Sequence, residues 1–142
     1  MSQVYFEDLE AGDEITPLPK TPTREQIREY ASLSTLRQGR FSSDDDAKGE
    51  GLQGMIVPGN MSMSFLSQLL TDWAGPEGNL VKLEVNFRRM VNPGDILLCK
   101  AMVTDIEEIN GTNQVILDAY IENQDGERPV QGIASVILPN RR

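Results

Sequence analysis

The chain has 142 residues, with 22 Asp or Glu against 13 Lys or Arg, a formal net charge of −9, and no histidine at all. That length suits one domain with a substantial core, taken here as residues 1–142. The charge disfavours nucleic-acid binding, which needs a cationic face. The missing histidine removes the commonest base near neutral pH and the commonest metal ligand, and it excludes Ser-His-Asp and Cys-His nucleophile systems.

No apolar run approaches the length of a membrane span. The stretch Met1-Ser2-Gln3-Val4-Tyr5-Phe6-Glu7-Asp8 lacks the basic and apolar regions of a signal peptide, so a cytoplasmic location is the default expectation. The single cysteine, Cys99, excludes an internal disulfide and reads as a small core residue on a strand.

Residues 1–20 read as extended, with a turn at Ala11-Gly12-Asp13. Thr23 and Gln26 have capping-box spacing, and Ile27, Tyr30 and Ala31 give the helix they open one apolar face. Residues 34–54 are polar and poorly periodic, with glycines at 49, 51 and 54 and a short helix expected around 43–48, capped by Ser42 or Ser43. A connection of this length in a compact domain is functional or mobile. A second helix is expected over about 60–73, capped by Gly59 or Asn60. Its apolar positions, Met61, Phe65, Leu66, Leu69, Leu70 and Trp73, form a face wide enough for a buried helix, and Ala74-Gly75-Pro76 ends it.

The remainder reads as strands. Val81, Leu83, Val85 and Phe87 alternate with polar residues. Asn92-Pro93-Gly94-Asp95 is a turn before a strand over 96–107, and Asn110-Gly111 is a hairpin signal. Val115, Leu117, Ala119 and Ile121 alternate in the next strand; Asp125-Gly126 makes another hairpin before a strand over 129–138. The order suits a curved antiparallel sheet wrapped around one long helix, in the α+β class.

Three tracts resemble the MaoC-like dehydratase family, which includes the (R)-specific enoyl-CoA hydratases and has the hot-dog fold. Residues Tyr5 to Asp13 resemble its opening tract, and Phe87-Arg88-Arg89-Met90-Val91-Asn92-Pro93-Gly94-Asp95 resembles its F-R-x-x-V-x-P-G-D strand and turn. Gly54-Met55-Ile56-Val57-Pro58-Gly59 sits where the family has G-R-I-A-H-G. Leu70 to Pro76 is also similar to a tract in small MaoC-like subunits of heteromeric steroid enoyl-CoA hydratases.

The resemblance implies a hydratase or dehydratase (a lyase) of fatty acid or steroid metabolism, acting on acyl-CoA thioesters without a metal or further cofactor. Hot-dog sheets pair edge to edge, so it implies a homodimer, or a heteromer with another MaoC-like subunit. The family's catalytic pair is the Asp and His of D-x-x-x-x-H. Ser34 matches the serine before that motif, which puts Leu36 at the Asp position and Phe41 at the His position; Pro58 stands at a third family histidine. None of these side chains transfers protons. Gly59 matches the glycine whose helix end holds the thioester oxygen, so a site for that oxygen is expected at Gly59 and Asn60, unless Gly59 serves only the turn.

This leaves three expectations. The first is an acyl-CoA-binding protein without its own dyad, partnered by a competent MaoC-like subunit. The second is a hot-dog thioesterase whose base is Asp44, Asp45 or Asp46, with a carboxylate pKa raised by burial or crowding, or with Glu50 or Asp72 as weaker substitutes. The same three aspartates also read as a solvated run at a helix start, and they do not complete a calcium loop. The third is a non-catalytic binding module. Arg37 and Arg40 either hold an anionic group of the ligand or lie on the surface; Arg88 and Arg89 either meet CoA phosphates or form structural ion pairs.

Overall fold

The computed structural model describes residues 3–33, 39–41 and 43–141. Five strands, β1 (Leu18–Lys20), β2 (Asn79–Phe87), β3 (Leu97–Ile109), β4 (Thr112–Glu122) and β5 (Val130–Ile137), form one antiparallel sheet in the order β1-β3-β4-β5-β2. The long helix α3 (Gly59–Ala74) packs on β2 to β5, the expected hot-dog arrangement. Helices α1 (Arg24–Ser32) and α2 (Asp44–Gly49) occupy the connection between β1 and α3.

The alternation in β4 sets the core. Val115, Leu117, Ala119 and Ile121 are completely buried and face the interior, flanked by Cys99, Ala101 and Val103 of β3 and by Val130, Ala134 and Val136 of β5. Burial pushes the Cys99 thiol pKa up to about 12, consistent with a packing role. From α3, Leu66, Leu69 and Leu70 close over this surface, with Phe65 and Trp73 half-buried beside them. Asn110 (φ 53°) and Gly111 (φ 78°) both adopt the left-handed conformation of a tight I′ hairpin. The Asp125-Gly126 connection is longer. There the Asn123 Oδ1 accepts the Asp125 and Glu127 N–H groups, both at 3.0 Å.

Several local expectations are corrected. The first 20 residues contain a 3-10 turn at Phe6–Asp8 and only a three-residue strand, because Pro17 and Pro19 limit pairing on this edge. Strand β2 does not alternate cleanly. A bulge between Leu80 and Lys82 turns Val81 outward, leaving Leu80, Leu83 and Val85 against the core. The Thr23 capping box forms as read, and Ser43 caps α2 by accepting the Asp46 N–H. Gly59 and Asn60 do not cap α3; Pro58 is its N-cap, without a side-chain hydrogen bond, and Gly59 is the first helical residue.

Truncating a fully enclosed α3 side chain tests this packing. Leu66→Ala is expected to lower the unfolding free energy by about 2–5 kcal/mol in urea denaturation, since both transfer energy and a cavity are involved. A change below about 1 kcal/mol would contradict the placement of Leu66 in the core.

Candidate functional site

The approach to α3 is fixed by three consecutive backbone donors, each bound to a different element. The Met55 N–H donates to Asp44 Oδ1 (2.9 Å), the Ile56 N–H to the Arg40 carbonyl (3.1 Å), and the Val57 N–H to the Val91 carbonyl (2.7 Å). Pro58 has no N–H, so nothing is left unpaired at that step. Its carbonyl then accepts the Met61 and Ser62 N–H groups at 3.0 and 3.2 Å. The N–H groups of Gly59 and Asn60 have no acceptor among the described residues. They form a short row of oriented donors at the positive end of a 16-residue helix.

Gly59 brings the helix start close to the Phe87 ring. A Cβ at this position would lie 3.0 Å from the Phe87 ring, whose edge approaches the helix start from the end of β2. Phe87 is about half exposed, at 53%. Its ring and the two free N–H groups therefore form an apolar wall beside a polar donor pair at the solvent boundary. The sequence reading recognised Phe87 only as part of a strand motif, because the contact joins residues 28 positions apart.

Asp44 is built into the scaffold. Besides Met55, its carboxylate pairs with Arg24 through Nε and Oδ2 at 3.0 Å, tying α1 to α2. The Met55 backbone hydrogen bond, followed by the Arg24 guanidinium, holds its pKa below the ordinary value of 3.8. That direction is opposite to the one expected for a general base. Gly54 permits the arrangement, since a Cβ there would sit 3.1 Å from Asp44 Oδ1. Asp45 and Asp46 are exposed on the first turn of α2, where carboxylates complement the helix dipole. Asp72 is exposed near the far end of α3.

Arg40 pairs with Glu50 at 3.1 Å, so each of these two candidates occupies the other. Phe41 is half-buried against the core. Arg88 and Arg89 are separated by their contacts. Arg89 pairs with Glu127 at 3.0 Å, whereas the exposed Arg88 has no ion-pair partner among the described residues and is anchored by its N–H to the Pro129 carbonyl at 2.7 Å. Ser34, Leu36, Arg37 and Ser42 lie outside the described residues. Among the described residues, no three Cys, Asp or Glu side chains gather as a metal site.

The described site thus supplies donors, an apolar wall and one unpaired guanidinium. The chain matches the MaoC-like domain family over residues 8–124 and belongs to it. A relative from Thermobifida fusca, known as a UPF0336 protein, is 26% identical over 133 residues, covering 86% of each chain. The unliganded R-hydratase PhaJ1 from Pseudomonas aeruginosa superposes with a TM-score of 0.85 at 22% identity, over 98% of this chain and 88% of that one. The HadBC (3R-hydroxyacyl-ACP dehydratase) complex from Mycobacterium tuberculosis has a chain that superposes with a TM-score of 0.74 at 21% identity, over 89% of this chain and 96% of that one. These similar structures, one an R-hydratase and one a chain of a dehydratase complex, share the fold of this chain.

The role of Asp44 has a pH signature. Because its folded pKa is depressed, its contribution to stability is full above the unfolded carboxylate pKa and is lost as pH falls through the folded value. Asp44→Asn is therefore expected to lower the urea midpoint at pH 7, with the deficit shrinking as the medium is acidified below pH 4. A deficit of constant size across that range would contradict a charge-based role.

Proposed function

We propose that this chain binds an acyl-CoA thioester at the N-terminus of α3 and does not hydrate it unaided, a competent MaoC-like subunit supplying the proton-transfer pair. The carrying observation is a MaoC-like chain with no histidine in its sequence, whose Gly59 and Asn60 N–H groups at the helix start have no acceptor among the described residues. Donors aimed at an oxygen stabilise charge that develops there, as an oxyanion hole does, and they need no proton transfer of their own. Phe87 shields one side of this oxygen site, and the exposed Arg88, next to it in the chain, is the cation offered to the CoA phosphates.

In a site of this kind the two backbone donors orient and polarise the thioester carbonyl. Abstraction of the proton beside that carbonyl, or activation of water, then requires a positioned base. Phe41 offers none, and the Asp44 carboxylate is engaged by Met55 and Arg24. The missing acid/base pair is worth roughly 10²- to 10⁴-fold in rate. The existence of paired MaoC-like subunits such as those of HadBC supports assigning that contribution to a second chain.

Purified chain mixed with crotonyl-CoA is expected to show a ligand-dependent rise in melting temperature but hydration no faster than about one-hundredth of that of a dyad-bearing MaoC-like enzyme. Efficient hydration by this chain alone would overturn the proposal. Asp45→Asn and Asp46→Asn are expected to leave any release of free CoA unchanged, and a loss of release in either variant would favour the thioesterase reading instead.

A further inference from the structure

A cavity lies between α1, β1 and α3. It has a volume of about 510 Å³, and its lining includes Pro22, Tyr30, Met61 and Phe65, with Lys20 and Glu29 as its charged members. Met61 and Phe65 are one helical turn apart on α3, so they give the cleft a continuous apolar wall. Tyr30 and Phe65 are half-buried against the core, and Pro22 and Met61 are buried, so this wall is held by packing.

Lys20 is the unusual member. It is half-buried, its ammonium stands 5.4 Å from the centre of the Phe65 ring, and it makes no ion pair among the described residues. This happens in a chain with 22 acidic residues. The carboxylate lining the same cleft, Glu29, is exposed and not within ion-pair distance of Lys20. The cation–π contact holds the ammonium over the apolar wall and leaves its charge uncompensated. The volume is within the range of small-molecule sites, about 300–1,000 Å³.

We propose that this cleft binds a small amphipathic carboxylate, with its apolar body on Met61, Phe65 and Tyr30 and its carboxylate on Lys20. A monocarboxylate suits the site better than a phosphate. A single ammonium offers one compact charge, whereas phosphate recognition favours a guanidinium fork or several donors. The proposal does not depend on thioester binding at Gly59.

Octanoate and its neutral analogue octanamide, titrated into the ¹⁵N-labelled chain and followed by amide NMR shifts, test it. Octanoate is expected to saturate with shifts at Lys20, Tyr30, Met61 and Phe65, and to bind at least tenfold more tightly than octanamide. Lys20→Met is expected to erase that tenfold preference while leaving octanamide binding unchanged, and Lys20→Arg to restore it. Absence of saturable octanoate binding, equal affinity for the two probes, or a preference that survives in Lys20→Met would each overturn the proposal.

Discussion

Everything proposed for the site rests on how the chain is delivered into α3. Met55, Ile56 and Val57 each donate their backbone N–H to a different partner: the Asp44 carboxylate, the Arg40 carbonyl and the Val91 carbonyl. These three bonds join α2, the preceding 3-10 turn and the segment leading to β3. With Pro58 fixing the next φ, they set where the helix begins and which way its first donors point. The positive end of the helix is thereby held by the surrounding scaffold without a side-chain cap, and the Gly59 and Asn60 N–H groups have no acceptor among the described residues.

Asp44 illustrates how one residue type serves different ends in one place. Three consecutive aspartates suggest a candidate base, and their chemistry permits it. The structure puts both oxygens of the first to work as a scaffold: one on the Met55 N–H and the other on Arg24. A carboxylate held ionised in this way is a poor proton acceptor but a durable fastening. Asp45 and Asp46 remain solvated at the start of α2. The acidic run contributes order to the connection, and the chemistry left at the α3 end is that of backbone donors beside the Phe87 ring.

Much of the fold was legible because its signals are periodic and local. The period-two pattern of β4 and the apolar stripe of α3 each name their own buried face, and the Thr23 capping box and the Asn110-Gly111 turn act within four residues. What stayed hidden depends on contacts between distant positions. The bulge at Val81 turns Leu80 inward in its place while Leu83 and Val85 keep the inward face, and nothing in the alternation marks it. Pro58 takes the capping place expected of Gly59 or Asn60, and segment 55–57 before it is hydrogen-bonded from outside. The Phe87 contact with Gly59 and the Asp44 clasp on Met55 join residues 28 and 11 apart, a link that no local pattern encodes. Leu36 and Arg37 lie outside the described residues, so the site is defined from its α3 side.

The central claim is that the free donors at the start of α3 receive the thioester oxygen. Amide NMR of the ¹⁵N-labelled chain, titrated with butyryl-CoA and separately with free CoA, tests it most directly. The account predicts that the Gly59 and Asn60 amide protons shift downfield on saturation with butyryl-CoA, as donors to a carbonyl do, and that free CoA leaves them in place. Saturable butyryl-CoA binding with those two resonances unmoved would contradict it.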